Sequence, residues 1–416
     1  MGNNSDSHNK STTPFSSYQH EIYIAGTNGL KPIMTTNPNL WEDAAKQAME
    51  PMNFDYAKGG AGAGDTVRKN REAFDKWNII PRMVRSNTKR NTGVKILGQE
   101  WPSPVAIAPV GVNRIFHADG EKGVAHAAGK TGIPYVLSTF ASESPEIVAK
   151  AQDEAAGHDD SIRWLQLYWP QSVDHDITRS ILRRAKAARY TALVITLDIF
   201  SMSWRPMDLD NAYLPLYKGY STALGFTDPV FRQKFAEKYG HEADEDILKG
   251  AFEWENTIFP NLAHSWPELA FLRKEWDGHI LVKGIQTATD AEMAVQAGVD
   301  GIIVSNHGGR QYDGAYGSLD VLQEIAEAVG DRVDVLFDSG IRTGADVMKA
   351  LALGAKAVFV GRPIVYGLGA KGKEGVLHVL RCLLADFEIN LGITGVQNAT
   401  DLKPGNLRAH HMKAFL

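Results

Sequence analysis

Eight short apolar runs recur between residues 105 and 360, and most of the stretches between them repeat apolar residues at helical rather than strand spacing. The runs are 105–108 (VAIA), 135–137 (YVL), 164–167 (WLQL), 193–196 (LVIT), 280–282 (ILV), 301–304 (GIIV), 335–337 (VLF) and 357–360 (AVFV). Each has the length of a strand buried on both faces. HADGEKGVAHAAGK, DHDITRSILRRAKAA, ATDAEMAVQAG, LDVLQEIAEAV and RTGADVMKALALG between them read as helices. Repeated strand-then-helix order calls for a parallel sheet, because consecutive parallel strands need a crossover that a helix supplies. Most runs start roughly 20 to 33 residues after the one before, close to the ~31 expected when about 250 residues are shared among eight units. No GxGxxG follows an early run, as a doubly wound dinucleotide fold would require. The pattern predicts an α/β chain closed into a (β/α)8 TIM barrel.

One interval breaks the cadence: more than 80 residues separate Thr196 from Ile280. The excess is an insertion over about residues 201–275, with a mixed-charge middle, FRQKFAEKYGHEADEDILKGAFEWEN. It leaves the carboxyl end of the fourth strand, the face on which barrels carry their sites, so it is either a cover for the mouth or a solvated excursion or subunit contact. The remaining layout follows: a polar tail over 1–17, one domain over 18–400 with its barrel core at about 103–390, and a C-terminal tail over 401–416. Before the barrel, an N-terminal helical segment is expected over 40–49, then a glycine-bearing loop over 51–64.

Composition narrows the chemistry. The single cysteine, Cys382, excludes an internal disulfide and multi-cysteine metal sites, and fits a reducing, cytoplasmic setting. No run approaches about 18 apolar residues, and the polar start has no apolar core, so neither a membrane anchor nor a secretory signal is expected. With 44 Lys and Arg against 49 Asp and Glu and no basic block, the chain lacks the charge that nucleic acid binding rests on. Its 13 histidines form no HExxH, and His410-His411 sit at the end, so no metal site is predicted.

The densest polar chemistry falls at the carboxyl ends of the strands. Ser305-Asn306-His307-Gly308-Gly309-Arg310-Gln311 starts where GIIV stops, putting an imidazole and a guanidinium three residues apart in a glycine-loosened loop. There an imidazole can move a proton while Arg310 grips a carboxylate through two parallel donors. A lone histidine is more often a structural hydrogen-bonder, but the barrel-end position and the paired arginine favour chemistry. Lys283 closes the fifth run, where an ammonium offsets developing negative charge or, with a low pKa, forms a Schiff base. Asp198 follows LVIT, Arg205 comes seven residues later, and Tyr168 follows LQL. Singly, each fits a cap, a salt bridge or a packed ring; together they make a polar pocket for an anionic substrate bearing a hydroxyl or carbonyl. After the seventh and eighth runs, Asp338-Ser339-Gly340-Ile341-Arg342 and Gly361-Arg362 match the place where barrels build a phosphate cup. The plainer alternative is that the glycines permit tight turns and Asp338 caps its helix.

SNHGGRQ, with VKG, TLD and DSGIR at matching barrel ends, resembles the FMN-dependent L-2-hydroxy acid oxidase and dehydrogenase family over about residues 18–400. The resemblance implies bound FMN, a small 2-hydroxy acid substrate and dioxygen as acceptor. It implies His307 as general base, Asp198 as support for its imidazolium, Arg205 and Arg310 with Tyr56 on the substrate carboxylate, Tyr168 on the substrate oxygen, and Lys283 beside flavin N1 and O2. For the cofactor it implies Val110 and Gly111 facing N5, Ser138, Gln166, Thr196 and Ser305 as polar contacts, and Asp338, Gly340, Arg342, Gly361 and Arg362 around the ribityl phosphate. Within the family, YQHEIYIAGTNGLKP, APVGV and WRPMDLD are most similar to the lactate 2-monooxygenase branch. That branch implies conversion of L-lactate to acetate, carbon dioxide and water, and a homo-oligomer, tetramer or octamer. The alternatives are an oxidase that releases 2-oxo acid and peroxide, or a dehydrogenase with another acceptor. Two departures stand out: the acid of the glycine-rich loop is displaced to Asp65, and Phe140 stands where glycolate oxidase carries tryptophan.

Overall fold

The computed structural model describes residues 13–85 and 90–410. Residues 1–12 of the expected polar tail and residues 411–416 of the expected C-terminal tail, His411 among them, lie outside the described residues.

The eight apolar runs become eight strands: β1 (Val105–Ile107), β2 (Tyr135–Leu137), β3 (Arg163–Leu167), β4 (Ala192–Thr196), β5 (His279–Ile285), β6 (Gly301–Val304), β7 (Asp334–Phe337) and β8 (Ala357–Val360). All pair in parallel, and β8 returns to β1 through Val360 opposite Ile107, closing the barrel. Leu165, Val194, Leu281, Ile302, Leu336 and Val358 are fully buried, which explains why the strands read as continuous apolar runs rather than alternating ones. Helices cover the outer face, among them Gly120–Thr131, His175–Ala187, Ala288–Gln296, Ser318–Val329 and Gly344–Ala352.

The two ends of the barrel differ. At the amino end, an antiparallel hairpin of Val94–Ile96 and Gln99–Trp101 is tied to the start of β7, where the Leu97 N–H donates to Asp334 Oδ2 at 2.7 Å. Trp101 packs on Trp164 of β3 with ring centroids 5.2 Å apart. This plug leaves the carboxyl end as the open face. Beyond residue 400 the chain folds back, with Leu407–Ala409 pairing antiparallel to Trp77–Ile79.

Residues 51–58, expected within a loop, form the helix Pro51–Lys58. Proline at its first turn loses no hydrogen bond there and presets φ, so the residue that reads as a breaker is a helix start. Residues 197–278, between β4 and β5, divide by position. The early part joins the N-terminal segment at the mouth: Tyr213 Oη donates to Asn53 Oδ1 at 2.7 Å, Asn211 Nδ2 to Asp55 Oδ2 at 2.9 Å, and the Gly62 N–H to Trp204 O at 3.0 Å. The next part lies against the barrel's flank, where Arg184 of helix His175–Ala187 donates to Leu224 O and Lys234 meets Asp174 and Asp176. The insertion thus meets the N-terminal segment at the mouth in its early part and packs on the barrel's own flank in the next. Among the described residues, no helix is long and apolar enough to cross a membrane.

Candidate functional site

A cleft at the open end encloses about 1040 Å³, its mouth included, and is lined by side chains from the ends of several strands and from helix Pro51–Lys58. It gathers Tyr56, Val110, Gly111, Tyr168, Arg205, Lys283, His307, Arg310, Asp338, Gly340, Arg342, Gly361 and Arg362. Asp198 stands behind His307, and Ser138, Gln166, Thr196 and Ser305 are buried beside the cleft rather than on its wall.

His307 has φ 59°, a left-handed conformation that costs a non-glycine residue roughly 1–3 kcal/mol. A set of hydrogen bonds holds it there. The His307 N–H donates to Ser305 Oγ at 3.0 Å, the Gly308 N–H to Ser339 Oγ at 3.0 Å, and the Gly309 N–H to Asn306 Oδ1 at 3.1 Å. Asn306 in turn exchanges two amide bonds, 2.8 and 2.7 Å, with Asn70 of helix Asp65–Asp75. The imidazole is fixed by Asp198, whose Oδ1 lies 2.9 Å from Nδ1. With the ring's proton on that side, Nε2 carries the lone pair of the neutral form. Burial, reinforced by the Lys283 charge, holds His307 below its ordinary value despite the opposing pull of Asp198. Burial alone would raise Asp198, but its interactions with His307 and the Lys283 charge outweigh it and keep the carboxyl below the usual range. A neutral ring backed by a carboxylate is a base poised to accept a proton and be stabilised once it has.

Facing this pair are two guanidiniums. Arg205, 4% exposed, donates from Nε to Arg310 O at 3.0 Å and from Nη2 to Gln311 Oε1 at 2.7 Å. Arg310 donates to the carbonyls of Tyr56 and Gly59 at 2.7 and 2.9 Å and lies 5.0 Å above the Tyr56 ring. Burial, with Arg310 beside it, lowers Arg205 to about 10. Among the described residues neither arginine has a carboxylate at hydrogen-bond distance; Asp208 comes only within 3.9 Å of Arg205. Two adjacent cations, Arg205 buried and Arg310 half-buried, both lining the cleft, call for an anion.

Tyr168 completes the polar rim, and burial raises its phenol well above the ordinary value, so it stays a donor. The apolar part of the lining includes Ile199, Met202, Phe140 and Phe259. Phe140 and Phe259 close on Tyr168 with centroids at 5.6 and 4.7 Å.

The rest of the cleft fits a phosphorylated aromatic cofactor. Lys283 is buried, with its Nζ 3.6 Å from Asp338. Arg342 and Arg362 are cations whose pKa values burial lowers, Arg362 to about 10. Arg362 is largely committed to protein, donating to the carbonyls of Ala57, Lys58, Gly59 and Gly308, so it brings charge more than an open donor fork. Arg342 donates to Ile341 O only through Nη1, leaving the rest of its fork toward the cleft. Gly361 opens helix Arg362–Ile393, and a Cβ there would reach into the space beside Val110 and Ala108. At Gly111 a Cβ would lie 2.5 Å from that of Phe140, so only glycine allows this close passage of backbone. A row of hydrogen bonds runs from Ser138 Oγ to Gln166 Oε1 and from Gln166 Nε2 to Thr196 Oγ1, at 3.2 and 3.0 Å.

Some contributors were not marked by the sequence patterns. Asp313 accepts from the Ala63 and Thr66 N–H groups at 2.7 and 2.9 Å, anchoring the end of the glycine-rich loop. Asn70 and Phe259 were not singled out, and Gln311 was named only as part of its motif, without a role. Gln311 lies beside Arg310 in the SNHGGRQ motif and was the one with a local signal; the others act across long sequence separations.

The match to the family described as FMN-dependent dehydrogenase spans residues 45–409. An FMN-dependent alpha-hydroxy acid dehydrogenase of Penicillium citrinum is 48% identical, over 93% of this chain and 94% of its own length. The L-lactate oxidase of Lysinibacillus sphaericus is 36% identical, over 87% and 90%. Among solved structures, mandelate oxidase superposes with a TM-score of 0.76 at 33% identity, over 91% of this chain and 99% of that one. The chain therefore belongs to the FMN-dependent dehydrogenase family and is an FMN-dependent oxidoreductase of 2-hydroxy acids.

Proposed function

We propose that the chain oxidises a small L-2-hydroxy acid, L-lactate foremost, with dioxygen as the acceptor, and that it retains the 2-oxo acid long enough for oxidative decarboxylation. The observation that carries the reading is the pairing, in one cleft, of the Asp198-backed His307 with the guanidiniums of Arg205 and Arg310, neither of which has a carboxylate at hydrogen-bond distance among the described residues. In this reading Arg205, Arg310 and Tyr56 hold the substrate carboxylate, Tyr168 donates to the substrate oxygen, and His307 Nε2 takes the hydroxyl proton while Asp198 stabilises the imidazolium. Bound FMN supplies the two-electron acceptor. Lys283, Ser138, Gln166, Thr196, Ser305 and the backbone of Val110 and Gly111 would hold its ring, and Asp338, Gly340, Arg342, Gly361 and Arg362 its ribityl phosphate.

Retention is supported by the mouth. Trp204, Asn211 and Tyr213 of the insertion hydrogen-bond to the N-terminal segment that carries Tyr56. Pyruvate held beside hydrogen peroxide reacts to acetate, carbon dioxide and water, whereas early opening releases pyruvate and peroxide. Exposed apolar side chains, including Tyr23, Ile24, Trp204 and Leu209, support assembly as a homo-oligomer, with a tetramer or octamer expected. The test is product analysis in air with L-lactate. Stoichiometric acetate and carbon dioxide fit the reading. Pyruvate with peroxide replaces its second half by simple oxidation, and turnover only with an artificial acceptor overturns dioxygen as the acceptor.

A further inference from the structure

A second cavity, about 1120 Å³ with its mouth included against about 1040 Å³ for the cleft, lies behind one wall of the cleft. Its near side is lined by Ile195, Leu197, Phe200, Ile258 and Pro260, with Asp198, His264 and Asp290 elsewhere on its wall, and Ile199 lines both spaces. Phe259 stands between them: its ring lines the cleft, while its two chain neighbours line the second cavity. The ring is 5% exposed and sits 4.7 Å from Tyr168 and 5.1 Å from Phe140, centroid to centroid. Its backbone is fixed on both sides. The Phe259 N–H donates to Glu255 O at 2.7 Å, ending helix Ile247–Ile258, and the Asn261 N–H donates to Phe200 O at 3.1 Å with Asn261 at φ 57°.

The polar rim assigns two of the substrate's three substituents. The guanidiniums take the carboxylate and the histidine and tyrosine take the hydroxyl, so the chain beginning at C3 faces the remaining wall of Ile199, Met202, Phe140 and Phe259. We propose that Phe259 is the partition that limits this chain, dividing what would otherwise be one continuous slot whose near side is apolar. The intact protein then takes short-chain L-2-hydroxy acids, and truncating the ring admits unbranched medium-chain ones into the second cavity. The proposal rests on the 2-hydroxy acid chemistry assigned to the cleft and adds the determinant of chain length. Each methylene placed in an apolar pocket is worth about 10- to 200-fold in discrimination, so joining the cavities has a large readout.

The experiment compares the FMN-loaded wild type with Phe259→Ala and Phe259→Leu. Calorimetry gives the affinities for pyruvate and 2-oxooctanoate, and steady-state kinetics gives kcat/KM for L-lactate and L-2-hydroxyoctanoate. The expected result is a preference for the short acids in the wild type. In the alanine variant the ratio of affinities should move at least about ten-fold toward 2-oxooctanoate, with leucine in between and kcat/KM following. An unchanged ratio in the variants, or a wild type that binds 2-oxooctanoate as tightly as pyruvate, overturns the partition. Should the alanine variant fail to fold, the leucine variant decides by the same ratio. A shifted affinity ratio without oxidation of either acid by any of the proteins would leave the partition standing and sink the oxidation reading instead.

Discussion

Replacing Asp198 by asparagine keeps an acceptor for His307 Nδ1 but removes a charge placed 2.9 Å from the ring. Two unit charges about 4 Å apart interact by ~4 kcal/mol at an effective dielectric of about 20. If the proton is about half transferred in the transition state, about 2 kcal/mol of that support is lost there, which is roughly a thirty-fold fall in the rate of substrate oxidation. The pH dependence has a definite sign. His307 acts as a base only when neutral, so the rate climbs as pH rises through its pKa. Asp198 raises that pKa against burial and Lys283, so its neutralisation moves the rising limb to lower pH while the plateau falls. Anaerobic stopped-flow bleaching of the flavin by L-lactate across pH reads both effects. A variant with the wild-type plateau and an unmoved limb would refute the coupling of Asp198 to the base.

Two further substitutions address other parts of the cleft and its surroundings. Arg205→Lys keeps the charge but loses the planar fork, and is expected to lower kcat/KM for L-lactate about ten-fold or more, mainly through KM; an unchanged KM would remove Arg205 from the carboxylate site. Glu121 is fully buried and accepts from the Asn113 and Ser142 N–H groups, and burial pushes its carboxyl up to about 7. Because the folded state binds this proton more tightly than the unfolded chain, the group's contribution to stability falls as pH rises from the ordinary carboxyl value through about 7. Glu121→Gln should therefore gain stability relative to wild type, by on the order of 1–3 kcal/mol, between pH 5 and pH 8, read as a melting-temperature difference that widens with pH. A difference that does not change between the two pH values would count against a buried, titrating acid.

The barrel was legible because its strands are buried on both faces, so 301–304 and 357–360 stand out as unbroken apolar runs between helical patterns. His307 and Arg310 were legible for a related reason: they follow β6 directly, where a barrel strand delivers whatever comes next to its open face. The helix Pro51–Lys58 was obscured by its own proline and by the glycines after it. The Asn70–Asn306 amide pair joins residues 236 apart, and Asp313 anchors a loop some 250 residues earlier, so neither leaves a local pattern. Phe259 closes a helix in the insertion and reads locally as one more apolar residue. Only the fold brings it against Tyr168 and Phe140, and only the second cavity gives its position a meaning.

The central claim is that His307 is the base for oxidation of the hydroxy acid, and the most direct measurement is anaerobic flavin bleaching by L-lactate in His307→Gln with FMN content matched to wild type. The expected result is a rate lower by about 10²- to 10⁴-fold, the contribution of a positioned base. Bleaching at the wild-type rate would contradict the account.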